Sequence, residues 1–375
     1  MRKVIHIISL TGRMGGVQQA FSNYFKFAQK YSNFKHYIFT KYSIDKKWGK
    51  FNNSFNIKYD FFRFIYYLFF QNSIIYLHNK LSSKAIFYLL KFLPSKNILY
   101  HEHGLAWNIK TKQEVKRYQK NASLVKKIIV NSIATKSLLI KKFKIKEDKL
   151  KLAYYGYRVP KISKKIFKNK KNKIYVGFIG RFEIFKGVHS FIGAANLLKD
   201  KNIEFHIGGD GYLAKDLKKL AKGNKKIKFK GEILNPINFI KTLDILVVPS
   251  IREPLGLINI EAGLCKIPVI ASNVDGIPEV IKKNYSGILI NPNQKITLKN
   301  YVDQAPLPDF VINPKNYKLK KPKEINPKLL SKSILYLSKN KNLRHKYGKQ
   351  LHKSVKAKFT IKNYFETIEN IYQTI

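Results

Sequence analysis

The sequence predicts an α/β protein built from two doubly wound, Rossmann-like domains with parallel sheets. Three observations carry that expectation. Short apolar runs alternate with longer amphipathic stretches, the pattern of βα units. The alternation runs through both halves of the chain, with six strand candidates in each. A length of 375 residues suffices for two domains that each bury a core.

In the first half the strand candidates are 4–9, 36–41, 74–77, 98–101, 128–131 and 150–154, with helical patterns at 82–92 and 134–143 among those between them. In the second half they are 174–179, 204–207, 227–229, 245–248, 269–271 and 287–290, with helices such as 188–198 and 213–221 intervening. The predicted division is an acceptor-side domain over 1–160, a lysine-rich linker over 161–173, and a second domain over 174–345. A helical segment over 346–375 is expected to pack back on the first domain. Pro306, Pro308, Pro314, Pro322 and Pro327 mark 293–327 as an insertion expected to hold no regular element. Beyond it, 329–337 and 359–372 read as helices.

Composition narrows the function. The formal net charge is +51, but only eight of the 73 basic residues are arginine. Sites that read bases or clamp phosphates favour the bidentate arginine fork. Abundant Lys, Asn, Ile, Phe and Tyr together point instead to AT-biased coding. A basic nucleic-acid binder would interleave aromatic residues with Arg on a sheet face, and no such cluster is present, so nucleic acid is not an expected partner. The charge would still draw the chain to anionic lipid. One cysteine, Cys265, excludes an internal disulfide. The apolar stretch 61–77 is interrupted by Arg63, Gln71 and Asn72, too soon for a membrane span. The expected location is cytoplasmic, at the inner face of the plasma membrane.

The segment Glu253-Pro-Leu-Gly-Leu-Ile-Asn-Ile-Glu261 follows the strand 245–248 and opens a helix. In an open α/β sheet, ligands sit beyond the carboxyl ends of the strands, where a helix N-terminus offers free N–H groups to phosphate. A carboxylate on that helix can accept hydrogen bonds from ribose hydroxyls. The loop Gly180-Arg181-Phe182-Glu183-Ile184-Phe185-Lys186-Gly187 follows the first strand of the second half. Its Arg and Lys suit a diphosphate. Gly208-Gly209-Asp210-Gly211 ends the next strand and reads equally as a tight turn. In the first half, Gly15-Gly16-Val17-Gln18 sits between strand and helix, where paired glycines admit a ligand close to the backbone.

With these residues in place, the chain resembles the retaining glycosyltransferases of GT-B family 4, the group 1 type, whose E-x7-E segment matches Glu253 to Glu261. The resemblance implies a GT-B architecture, two Rossmann-like domains facing across a cleft. It implies that Glu253 contacts the transferred sugar, that Glu261 contacts the nucleotide ribose, and that Leu257 lies in the donor segment between them. Arg181 and Lys186 would neutralise the departing diphosphate, Gly209 would belong to the family's Gly-Asp-Gly turn, and Gly231, in Phe229-Lys230-Gly231-Glu232, would lie where the base is held. Gly276-Ile277-Pro278-Glu279 matches a further landmark of the family. Gly15 and Gly16 match its N-terminal glycine loop, although Gln18 and Gln19 stand where an acidic residue is common. His103, in Tyr100-His101-Glu102-His103-Gly104, matches a His-Gly pair beside the donor sugar and acceptor.

His101 points the same way as His103 on a strand, so a metal pair is conceivable. No third ligand has suggestive spacing, and His78 reads as structural. The Asp-x-Asp that holds a metal in the other major sugar-nucleotide fold does not occur. The expectation is therefore a UDP- or GDP-sugar donor handled without metal or cofactor, and a glycan or lipid-linked acceptor, as in bacterial lipopolysaccharide, lipooligosaccharide or capsule synthesis. A sugar-nucleotide epimerase or glycan phosphorylase on the same fold is the alternative.

Overall fold

The computed structural model describes residues 1–10, 15–45, 51–69, 72–78, 80–93, 97–158, 173–198, 202–297 and 307–375. It divides into two compact units: Met1–Arg158 with Phe359–Ile375, and Val159–Lys358. Most of the expected linker, 161–172, lies outside the described residues.

In the first unit the chain runs β1 (Lys3–Ile7), α1 (Gly16–Tyr31), β2 (Lys35–Thr40), β3 (Ser54–Asn56), α2 (Phe61–Phe69), β4 (Ser73–Leu77), α3 (Lys84–Phe92), β5 (Ile98–Glu102), α4 (Lys112–Leu124), β6 (Lys127–Val130), α5 (Ile133–Phe143) and β7 (Leu150–Leu152). Among the described residues the sheet order is β3-β2-β1-β4-β5-β6-β7, and its pairings are parallel. The order reverses between β1 and β4, the switch point at which doubly wound sheets place ligands. β1, β4 and β5 are rich in Ile, Leu and Val and almost wholly buried, as strands covered on both faces must be. The strand β3 escapes sequence reading because Ser-Phe-Asn shows no periodicity.

The C-terminal helix, Ile361–Gln373, also belongs to this unit. Its apolar face meets α1 through Tyr364 against Tyr24 (ring centroids 5.3 Å apart) and Phe365 against Phe27 (5.1 Å). The buried Tyr24 and Tyr372 hydroxyls join at 2.9 Å.

The second unit runs β8 (Ile174–Ile179), α6 (Val188–Leu197), β9 (Ile203–Gly208), α7 (Ala214–Leu220), β10 (Ile227–Phe229), α8 (Pro236–Lys241), β11 (Ile245–Val248), α9 (Leu257–Leu264), β12 (Val269–Ser272), α10 (Ile277–Val280), β13 (Gly287–Ile290), β14 (Val311–Ile312), β15 (Leu319–Lys320), α11 (Pro327–Lys339) and α12 (Lys341–Lys358). Its main sheet has the order β10-β9-β8-β11-β12-β13, with parallel pairings and a switch point between β8 and β11.

Two expectations are corrected here. The stretch 293–327 is not without regular structure: β14 and β15 pair antiparallel, Val311 with Lys320 and Ile312 with Leu319. Pro308, Pro314 and Pro322 flank these paired residues instead of interrupting them. Pro327 opens α11 behind the Asn326 cap, a position where its missing N–H is no loss. The break after the second unit falls at Lys358 instead of 345, because α12 packs on α9. A Cβ on Gly263 of α9 would meet Val355 Cγ2 at 2.6 Å, so only a glycine lets the two helices approach this closely.

Candidate functional site

In the second unit, the loops beyond β8, β9 and β11 are laced together by their backbones. Gly180 N–H donates to Gly208 O at 3.1 Å, Phe182 N–H to Asp210 O at 2.9 Å, and Gly209 N–H to Gly231 O at 2.7 Å. Gly209 has φ +133°, and a Cβ there would strike Gly180 O. Ile251 N–H donates to Phe185 O at 2.8 Å, tying the Arg181–Gly187 loop to the segment leading into Glu253. Gly187 completes this join: its φ is +70° and a Cβ would collide with Pro249 O.

At the join Lys186 Nζ donates to Glu253 Oε2 at 2.7 Å, and Ser250 Oγ donates to the same oxygen at 3.1 Å. The Glu253 backbone is held as well. Its N–H donates to Asp275 Oδ2 at 2.8 Å, while Asp275 Oδ1 accepts from Ile312 N–H at 2.6 Å. Burial pushes the Asp275 carboxyl up to about 7, against the relief given by these donors and by Arg252. Arg252 is itself buried, its guanidinium 4.2 Å from the Phe185 ring centroid. Arg181 turns outward and pairs with Glu183 at 2.8 Å.

Gly256, at φ +84°, precedes α9. Leu257 is the first residue of that helix and Glu261 lies buried one turn on. The structure therefore joins Lys186 to Glu253 and Gly209 to Gly231, and sets Leu257 and Glu261 on one helix. Sequence reasoning missed Asp275, Arg252 and Asn259. Asn259 is fully buried with neither side-chain amide atom hydrogen-bonded. Asp275 directly precedes the Gly276–Glu279 segment and Arg252 directly precedes Glu253, so adjacency was the available signal.

In the first unit, Gly15 caps α1 and Gly16 is its first residue, with no acidic side chain in the first turn. His103 lies beyond β5 in a turn shaped by the fully buried Glu102. That carboxylate accepts four hydrogen bonds: Gly104 N–H at 2.6 Å, Ala106 N–H at 3.1 Å, Tyr100 O–H at 2.8 Å and Tyr118 O–H at 3.1 Å. Both ring nitrogens of His103 are engaged, Nε2 with His78 Nδ1 at 3.1 Å and Nδ1 with the Tyr155 hydroxyl.

His103 ends a string of rings. His78 Nε2 meets His6 Nδ1 at 3.2 Å, His6 Nε2 meets His36 Nδ1 at 2.9 Å, and His36 Nε2 meets Ser32 Oγ at 2.9 Å. Ser32 Oγ donates to Glu369 Oε1 at 2.8 Å. Burial holds the His36 and His103 imidazoles down at about 3, and holds those of His6, His78 and His101 well below the usual histidine range. The rings are thus neutral near pH 7, each with one N–H. Ser32 has a single hydroxyl proton, and it goes to Glu369. His36 must then donate from Nε2 and accept at Nδ1, and the same tautomer passes through His6 and His78 to His103.

No third ligand shows in the spacing along the chain, but the structure brings His78 to His101 and His103. Leu77 pairs with Tyr100 across β4 and β5, so His78 falls opposite His101. One ring nitrogen from each of His78, His101 and His103 lies within 4.8 Å of the others. The coincidence is one of strand register, which no spacing along the chain displays.

Two Rossmann-like parallel sheets, each with loops gathered at a switch point, make this a two-domain, doubly wound α/β protein. Residues 159–307 match the family model for glycosyl transferases group 1. An uncharacterised glycosyltransferase of Methanocaldococcus jannaschii is 27% identical over 94% of this chain and 87% of its own length. The capsular polysaccharide biosynthesis glycosyltransferase CapM of Staphylococcus aureus is 22% identical over 57% of this chain and half of its own. The crystal structure of Anabaena HepE with UDP and glucose superposes over the whole of both chains with a TM-score of 0.75 at 15% identity. Among the described residues no helix is long and apolar enough to cross a membrane.

Proposed function

We propose that this chain is a retaining glycosyltransferase moving a sugar from a nucleoside-diphosphate sugar to a glycan or lipid-linked acceptor in bacterial lipopolysaccharide, lipooligosaccharide or capsule synthesis. The observation that carries the reading is the 2.7 Å pair of Lys186 with Glu253, which couples the basic loop to the acidic segment 67 residues away. Without donor, the Lys186 charge is balanced by Glu253. A diphosphate arriving at Lys186 would share that charge and free the Glu253 carboxylate to accept sugar hydroxyls. Arg181, already exposed, would add a second cation. Gly209 and Gly231 would bring backbone close to the nucleotide, Leu257 would offer an amide of the α9 N-terminus, and Glu261 would take the ribose. UDP in HepE favours a uridine donor. His103, with Gly15 and Gly16, would serve the acceptor side as a neutral hydrogen-bonding group. The work of these residues is positioning and charge stabilisation.

A bilayer contact in the first unit fits a lipid-linked acceptor. α2 and α3 expose Phe61, Phe62, Tyr66, Phe69, Tyr88 and Phe92 beside the exposed Arg63, Lys84 and Lys91. Aromatic rings amid basic residues suit an anionic headgroup layer. The deciding experiment screens UDP-, GDP-, ADP- and CMP-sugars for saturable binding or slow hydrolysis, and the transferase reading fails if none binds. Product analysis with and without acceptor separates transfer from epimerisation or phosphorolysis.

A further inference from the structure

We propose that His78, His101 and His103 form a binding site for a divalent transition metal of the zinc class. Each ring has one nitrogen tied outward. His78 Nε2 meets His6 Nδ1 at 3.2 Å, His101 Nδ1 meets the Tyr76 hydroxyl at 2.8 Å, and His103 Nδ1 meets the Tyr155 hydroxyl. Metal-bound histidines are held in this way, by a partner on the second nitrogen that fixes ring orientation. The nitrogens turned away from these partners are His78 Nδ1 and His103 Nε2, which hydrogen-bond to each other, and His101 Nε2.

These three have the marks of a ligand set. His101 Nε2 has no hydrogen-bond partner although the residue is 1% exposed, and buried polar atoms nearly always have one. Zinc–imidazole bonds of about 2.0–2.1 Å place tetrahedral ligands about 3.3 Å apart. His78 Nδ1 and His103 Nε2 are 3.1 Å apart. The string from Glu369 already presents His78 with Nδ1 as a lone pair, and His103 needs only to carry its ring proton on Nδ1, facing Tyr155. His101 stacks on His103 with centroids 4.1 Å apart.

Glu102 is no competitor, since its two oxygens already accept four donors. Three histidines leave a fourth position for water or a substrate oxygen, as in zinc sites that do chemistry. Of the three residues only His103 is partly exposed. The three histidines belong to the first unit, whereas Lys186 and Arg181, proposed above to meet the diphosphate, belong to the second.

The test uses untagged full-length protein loaded with zinc sulfate, dialysed, and measured by elemental analysis. A cobalt-loaded sample is read for tetrahedral visible absorption. Wild type and the surface variant His345→Ala are expected to retain about one equivalent, the number that one three-histidine set holds. His101→Ala and His78→Ala are expected to lose it. Tyr76→Phe keeps the ring that packs on His101 and removes only the outer hydroxyl, so it should fold. It is expected to weaken zinc by about 10–100-fold against a chromophoric chelator. Wild type that retains no metal overturns the proposal, and so does an equivalent that survives in folded His101→Ala. A chain that takes zinc but binds no sugar nucleotide upholds this site and sinks the transferase reading. The reverse result does the opposite.

Discussion

Asp275→Asn isolates the buried carboxyl that holds the Glu253 segment. Wild-type Asp275 is fully buried and its carboxyl is pushed up to about 7 from an ordinary 3.8. Below the unfolded value both states carry the proton, and whatever the group contributes is fully present. As pH rises toward 7, the unfolded chain ionises while the folded chain keeps its proton, so stability falls. The full loss is about 4 kcal/mol for a shift of about three units, and about 2–3 kcal/mol of it falls between pH 5 and pH 8. Asparagine cannot ionise and removes this slope. It also turns an N–H toward either Glu253 N–H or Ile312 N–H, a fixed cost of about 1–3 kcal/mol. Urea unfolding of both proteins, followed by circular dichroism at several pH values, gives the difference in stability. That difference should move toward the variant by about 2–3 kcal/mol from pH 5 to pH 8. A pH-independent difference would refute the assignment of the raised carboxyl to Asp275.

Glu261→Ala should raise the apparent donor constant with turnover little changed, whereas Glu253→Ala should lower turnover, and steady-state kinetics showing equal effects would undo this division of roles. Gly187→Ala should lower stability by more than the about 1–3 kcal/mol of a strained φ, because the added methyl also meets Pro249 O. Gly223→Ala, at φ +87° with nothing within 4 Å, should show the φ cost alone, and equal melting-temperature losses would contradict the loop contact. Replacing Phe62 and Phe92, both more than half exposed, with Ser should abolish flotation with phosphatidylglycerol vesicles while leaving the melting temperature unchanged. Wild-type flotation that ignores salt and lipid charge would sink the bilayer contact.

Much of the fold was legible because a strand covered on both faces must be apolar from end to end. Runs such as Ile-Leu-Val-Val at 245–248 satisfy that demand and little else does. The hairpin over 311–320 was not legible, because two-residue strands carry no period and the prolines beside them outweigh any local signal. The end of the second unit was misplaced for a related reason. Lys341–Lys358 is polar on most of its surface, and what assigns it is the close approach of Leu351 and Val355 to Gly263, a tertiary fact.

The candidate site residues differ in the same way. Glu253, Leu257 and Glu261 lie within one turn and one helix, so their grouping is local and the sequence displays it. The partners that hold them come from elsewhere. Asp275 reaches Glu253 from the loop after β12, and Lys186 reaches it from the loop after β8. The histidines show the limit more sharply. His6, His36, His78 and His103 are separated by 25 to 72 positions in each contact they make. They meet because β2, β1, β4 and β5 are neighbours and each histidine is stepped two residues past the last: His36 pairs with Val4, His6 with Tyr76, and His78 falls opposite His101. A parallel sheet thus gathers residues that step diagonally from strand to strand. In such a fold, a polar residue recurring on adjacent strands signals a site even where its spacing along the chain carries no pattern.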